Sequence, residues 1–364
     1  MNDSDNYPVF SWNYFFDKLE DDQCVLVLGP MAFRNDQHVS YKDELIDHLD
    51  IQSNPNIYRY YPKDEFFLFD DLYKRTLVCH QIKSFYKDIP PSESILKLVQ
   101  IPFHVLLTVT PDMLLTKALD QQGYNYQFGY YKKNQDPKRI KQPTKDLPLV
   151  YNVFGCVNYE ESIILTYNDL YDYFKSIFAR KSMPDKLKSL LKKVRNIIFL
   201  GVSFEKWYMQ LLLRELEIHK KQYEFTRFAD SQHSSDDIKT FCFEQFKINF
   251  ITNDIPGFID ELHRRCGDRG LLRKAGEVTY SELEKIKYHV GQGNFEEALD
   301  VLEEYTEATE LEDLCLQLAG RYRKFRKRVQ RNVLYEDQKE VQESKIVSDI
   351  LKLTHMAEKQ IDHG

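Results

Sequence analysis

No two cysteines in this 364-residue chain stand at CxxC spacing, and the six, at 24, 79, 156, 242, 266 and 315, form no Cys/His cluster with metal-ligand spacing. That excludes a disulfide framework and a zinc module, and fits free thiols in a reducing compartment. The start, MNDSDNYPVFSWNYFF, lacks the basic segment and continuous apolar core of a secretory leader, and no stretch reaches the apolar length of a membrane span. The expectation is a soluble, cytoplasmic protein with no membrane contact. Positive charge is not in excess either: a net charge of -7 and a pI near 5.9 offer no global attraction to phosphate backbones, so nucleic acid is not the default partner. Glycine is scarce where it would matter most. The turn after the first apolar run, Gly29-Pro30-Met31-Ala32-Phe33, has one glycine where a dinucleotide fingerprint has several.

What is present is a composition that folds: 42% hydrophobic and 14% aromatic residues lie far from the disordered regime, and the length suggests about two domains. Apolar strand-like runs occur in CVLVLGPMAF (24–33), FHVLLTVT (103–110), LVYNVF (149–154), SIILT (162–166), NIIFLGVS (196–203) and FKINFIT (246–252). Helical patterns such as ESILKLVQ, DMLLTKALDQ, NDLYDYFKSIFAR and DKLKSLLKKV separate them. Continuous rather than alternating apolar strands imply burial on both faces. The alternation predicts a Rossmann-like, open and mostly parallel α/β sheet with flanking helices over 1–265.

Glycines and charges cluster over 266–278, read as a hinge, and no strand signal follows. Residues 279–364 predict a small all-α bundle of four helices. The apolar stripes are Leu314, Leu318, Tyr322, Phe325 and Val329 in the third, then Val341, Ile346, Ile350 and Leu353 in the fourth. The basic run RYRKFRKRVQR (321–331) invites a nucleic-acid reading. The plainer expectation is a solvated helix face pairing with Glu336, Asp337, Glu340 and Glu343 across the turn.

Ligands of doubly wound sheets bind beyond the C-terminal strand ends, which directs attention to three turns. They hold Gly29 to Phe33, then Thr108, Thr110 and Asp112, then Gly201 and Ser203. Each has an ordinary structural explanation: a tight turn, a helix start served by Asp112, and a helix cap.

In order and spacing, however, these turns together with Val153-Phe154-Gly155 resemble the bacterial SIR2-like domain, the sirtuin-related type of phage-defence and conflict proteins. The most specific stretch is PLVYNVFGCVNYEESIILTYNDLYDYF followed by FLGVSFEKWYMQLLL. The resemblance implies an NAD or ADP-ribose-like nucleotide and no metal, with Gly29, Ala32, Thr108, Gly155, Gly201 and Ser203 near the cofactor and Thr110 and Asp112 at the catalytic positions. It also exposes departures. Phe154 stands where the family has its catalytic histidine, Thr110 replaces the water-orienting asparagine, and Met31 replaces a glycine of the phosphate turn. Phenylalanine cannot act as a general base, and losing such a base removes about 10² to 10⁴ in rate. His80 and His104 are the nearest histidines by topology, although His104 belongs to the strand end opposite the expected site. No zinc ribbon of the deacylase type is present.

The C-terminal helices resemble an effector-associated domain, on the features GNFEEALDVL, LAGRYRKF and a long polar helix ending in SDILKL. That resemblance implies an adaptor docking a protein partner; a homo-oligomer is a separate expectation. The combined expectation is a catalytically degenerate SIR2-like binding or scaffolding module with a helical adaptor, in an intracellular immune or conflict system. The alternative is an NAD glycohydrolase, not a protein deacylase, that is active on assembly.

Overall fold

The computed structural model describes residues 10–133, 137, 140–179, 183–216, 226–231, 234–252, 254–274, 282–306, 311–331 and 336–361. The chain divides into two compact units, 1–276 and 277–364.

The first unit is built on nine strands and ten helices among the described residues. The strands are β1 (Cys24–Leu28), β2 (Arg59–Tyr61), β3 (Phe66–Leu68), β4 (Val105–Thr108), β5 (Gln127–Tyr130), β6 (Leu149–Asn152), β7 (Asn196–Leu200), β8 (Thr226–Asp230) and β9 (Ile248–Thr252). The helices are α1 (Trp12–Glu20), α2 (Tyr41–His48), α3 (Leu72–Asp88), α4 (Glu93–Gln100), α5 (Leu114–Gln121), α6 (Tyr167–Phe178), α7 (Asp185–Leu191), α8 (Trp207–Glu215), α9 (Asp236–Phe246) and α10 (Ile255–Asp268).

Seven strands form one all-parallel sheet in the order β5-β6-β4-β1-β7-β8-β9, and β2 and β3 form a separate antiparallel hairpin. β1 lies at the centre, with Val25 opposite Val105 on one side and Ile197 on the other. All five of its residues are buried, as a strand covered on both faces requires. Val25, Val27, Leu107, Tyr151 and Phe199 share one core with Leu170, Leu187 and Leu212 of α6, α7 and α8. The intervening strand residues point to the opposite face, because side chains alternate along a strand.

The expected strand at 162–166 does not form. Both edges of β6, the strand that precedes it, are already taken by β4 and β5. Glu160–Ser162 is a 3₁₀ turn whose Ser162 hydroxyl donates to the Tyr159 carbonyl (2.7 Å). Thr166 then caps α6, its hydroxyl accepting from the Asp169 amide (3.1 Å) while Asp169 accepts from the Thr166 amide (3.0 Å). The first unit also extends past the expected boundary at 265. α10 continues to Asp268, and the Arg273 amide donates to the Gln100 carbonyl (2.7 Å) and its Nε to that of Val99 (3.0 Å). The rest of the expected hinge, from 275, lies outside the described residues.

The second unit holds α11 (Glu282–Gln292), α12 (Phe295–Thr306), α13 (Glu312–Gln330) and α14 (Glu336–Ile361). Its core includes Ile286, Leu302, Leu318, Phe325, Ile350 and Leu353. Two expected core positions are exposed instead, Leu314 at 47% and Val341 at 68%. The buried stripe of α13 runs through Cys315, Leu318, Ala319 and Phe325, and one residue of phase, about 100° on a helix, carries Leu314 off it.

The basic face is paired among the described residues, while the side chains of Glu336, Asp337 and Glu340, three of the acids expected to pair with it, lie outside the described residues. Arg321 bonds Asp349 (2.9 Å) and Arg323 bonds Glu303 (3.0 Å), while Arg326 contacts Glu296. These acids come from α12 and from the body of α14, because α14 runs back along α13. Such exposed pairs contribute at most about 1 kcal/mol each.

Candidate functional site

β1 is flanked by β4, toward which the chain first progresses, and by β7, to which it later returns. The crevice beyond their C-terminal ends is therefore the topological switch point, where loops diverge and leave room for a ligand. A cavity of about 150 Å³ lies there. Its wall takes Pro30 from the turn after β1, Thr110 and Pro111 after β4, Phe154 after β6 and Ser203 after β7. Four segments singled out in the sequence thus meet at one place. Met31, Asp112, Ala32, Thr108, Gly155 and Gly201 do not line the cavity.

The first turn is packed rather than open. A Cβ on Gly29 would lie 2.1 Å from the Gly201 carbonyl oxygen, and one on Gly201, at φ +68, would lie 2.1 Å from the Ala32 nitrogen. These glycines let two backbones touch. The contact also occupies the amides: Gly29 N–H donates to Leu200 O (2.9 Å), Met31 N–H to Gly201 O (3.3 Å) and Ala32 N–H to Gly29 O (3.1 Å). Gly201 N–H donates to Asp230 Oδ1 (2.6 Å). A phosphate cradle needs amides pointing at the ligand, and here they point at protein. The Gly29 turn therefore presents no phosphate cradle in this state.

Around β4, Thr108 and Thr110 satisfy each other, with their hydroxyls 2.6 Å apart and the Thr110 amide donating to Thr108 Oγ1 (3.1 Å). Asp112 lies behind Pro111 and is buried. Its Oδ1 accepts from the Leu114 amide (2.9 Å) and its carbonyl from Asn152 Nδ2 (2.8 Å), while Oδ2 has no hydrogen-bond partner. Burial raises its pKa, against the Thr110 hydroxyl and the Leu114 amide, which favour the charged form. Met113 is the residue that precedes α5, so Asp112 serves the helix start from one position further out.

Phe154 is half-buried, its ring edge-on to Tyr173 (5.3 Å between centroids) and near Tyr208 (6.0 Å). It is part of an aromatic wall and brings no proton-transfer group. Neither histidine replaces it. His80 is exposed on α3 and lies 3.1 Å from Glu160, and His104 is buried at the start of β4, at the opposite end of the sheet.

The structure adds residues that the sequence reading did not select. Lys42, Tyr60, Glu65, Phe66, Lys206 and Tyr208 complete much of the wall. One signal for them existed: aromatic pairs Tyr60-Tyr61 and Phe66-Phe67 flank the polar turn Pro62-Lys63-Asp64-Glu65, a hairpin pattern in two very short runs. Among the described residues no group of three or more His, Cys, Asp or Glu is placed to hold a metal, and no helix is long and apolar enough to cross a membrane.

Residues 104–251 match the family model of the SIR2-like domain, and residues 281–358 match that of effector-associated domain 11. The chain carries a SIR2-like domain and an effector-associated domain. The SIR2-like match spans β4 to β9 and leaves β1 and the Gly29 turn outside it. Among solved structures, a Sir2-homologue mutant in complex with 2'-O-acetyl ADP ribose aligns over 72% of this chain and 98% of its own, at 10% identity and a TM-score of 0.38. A structure described as the basis for mechanism and regulation of Sir2 enzymes aligns over 70% and 98%, at 9% identity and a TM-score of 0.34. No curated protein matches the chain.

Proposed function

We propose that this protein is a cytoplasmic component of a conflict system of the antiphage kind. In this reading its SIR2-like domain is a catalytically degenerate binding or scaffolding module. Its effector-associated domain docks a protein partner, and the protein assembles into homo-oligomers. The observation that carries the reading is Phe154: the position at which the family holds its base is an apolar ring packed on Tyr173 and Tyr208. The mutually bonded Thr108 and Thr110 and the occupied amides of the Gly29 turn support it. Purified protein incubated with NAD, alone and with its docked partner, is expected to show no turnover above background. Turnover that disappears in Thr110→Ala or Asp112→Asn would sink the scaffold reading.

A second reading, NAD hydrolysis after assembly, is favoured by one feature. Asp112 is a buried carboxyl with an unpartnered oxygen and a raised pKa beside the cavity, a combination that marks functional sites. A thermal-shift series with NAD and ADP-ribose on the assembled protein separates the two, since assembly without nucleotide binding leaves this reading no substrate.

A further inference from the structure

The β2–β3 hairpin supplies a part of the cavity wall that the family resemblance does not explain. Its turn runs from Tyr61 to Glu65, the Tyr61 carbonyl accepting from the amides of Asp64 (3.2 Å) and Glu65 (2.7 Å). Glu65 sits at φ +65, in the left-handed region that a residue with a side chain enters only when its surroundings hold it there.

Here the side chain does the holding. Glu65 Oε1 accepts from Lys42 Nζ of α2 and lies 3.2 Å from Nζ of Lys206, the residue before α8. Lys206 Nζ also donates to the Lys63 carbonyl. The side chains of Lys42 and Lys206 are only 27% and 13% exposed, so two largely desolvated cations converge on one carboxylate oxygen. The remaining anchors are few. Tyr167 donates to Asp64 Oδ2 (2.6 Å), Tyr208 to the Asp64 carbonyl (3.3 Å) and the Phe67 amide to the Leu165 carbonyl (2.8 Å). Phe66 packs on Tyr167 and Tyr208.

The geometry therefore sets an anion receptor against a small aromatic chamber. Lys42, Lys206 and Glu65 are the charged residues of the lining, leaving one positive charge beyond what Glu65 neutralises. The other walls are rings and aliphatic side chains, Tyr60, Phe66, Phe154, Tyr208, Ile82 and Leu165 among them. A cavity of about 150 Å³ accepts a ring of benzene size.

We propose that Glu65 is an internal stand-in for the anionic end of a one-ring ligand. The hairpin is then a latch, which a small aromatic carboxylate or phosphate opens by replacing the Glu65 carboxylate between Lys42 and Lys206. This deepens the binding-module reading and rests on it. A ligand that must displace an internal competitor binds more weakly by the fraction of molecules in which the site is free, so removing the competitor restores that factor.

The test is calorimetric titration of full-length wild type and Glu65→Gln with benzoate and with phenyl phosphate, with inorganic phosphate as the ringless control. Hydrogen exchange of residues 61–67 is followed in parallel. Glu65→Gln is expected to bind a ring anion at least about tenfold more tightly than wild type. Lys206→Met placed on that background is expected to abolish the gain. Saturating wild type is expected to speed exchange in the hairpin, a measurement that does not depend on any variant folding. The proposal is overturned if Glu65→Gln keeps the native thermal midpoint and binds no more tightly, if hairpin exchange in saturated wild type is unchanged, or if inorganic phosphate binds as well as phenyl phosphate. Wild type that binds ring anions without a gain in Glu65→Gln removes the latch and leaves the binding module. NAD turnover removes the degenerate-module reading without altering these titrations.

Discussion

Gly29→Ala is expected to cost the first unit about 4 kcal/mol or more, enough to leave much of it unfolded. The reason is local and leaves little room for relaxation. The new Cβ would stand 2.1 Å from the Gly201 carbonyl oxygen and 2.6 Å from its carbonyl carbon, both backbone atoms fixed at the end of β7. Moving them apart pulls β1 from β7 and strains the bonds from Gly29 N–H to Leu200 O (2.9 Å) and from Met31 N–H to Gly201 O (3.3 Å). Gly320→Ala is the matched control, because nothing lies within 4 Å of its Cβ and it sits inside α13. There alanine is expected to stabilise by up to about 1 kcal/mol. Denaturant midpoints of both variants decide the matter, and a native midpoint for Gly29→Ala would mean that the two turns do not touch.

The second large effect is on acid stability. His104 is 1% exposed, and burial lowers its pKa from 6.5 to about 4, outweighing a backbone contact at Cys24 that favours the charged form. The unfolded chain takes up this proton near pH 6.5, whereas the folded chain resists it until about pH 4. Stability is therefore full above pH 6.5 and is lost as pH falls toward 4, by about 3 kcal/mol for this one group. His104→Leu has no proton to take up. Urea denaturation of the two proteins at pH 7 and pH 4 is expected to show the wild type losing about 3 kcal/mol more than the variant over that interval. Parallel losses would show that the imidazole is hydrated in the folded state.

The sheet was legible because β1, β4, β6, β7 and β9 are apolar runs, and burial on both faces writes itself into sequence as continuous hydrophobicity. β5 and β8 lack that signature: one contains Gly129, and the other carries Arg227 and Asp230, so each is recognisable only once a neighbour is in place. SIILT misled for the converse reason. Ile163 and Leu165 are buried, but their backbone serves a turn and a helix cap instead of a ladder.

At the cavity, strand-end turns identified Thr110, Phe154 and Ser203, because topology alone brings such turns together. Lys42, Glu65 and Lys206 were not legible, since residues so far apart in sequence meet only through the folded arrangement of α2, the hairpin and α8. Nor could sequence tell that the Gly29 turn spends its amides on β7.

All six cysteines are buried and unpaired in disulfides. Burial drives their thiols away from the reactive thiolate, to about 12 for Cys79, Cys156, Cys242 and Cys266. An alkylating reagent should therefore reach them only when the surrounding layer opens. Cys315 belongs to the helical bundle and the other five to the sheet unit, so peptide-resolved alkylation would time the opening of each unit separately in the unmodified chain.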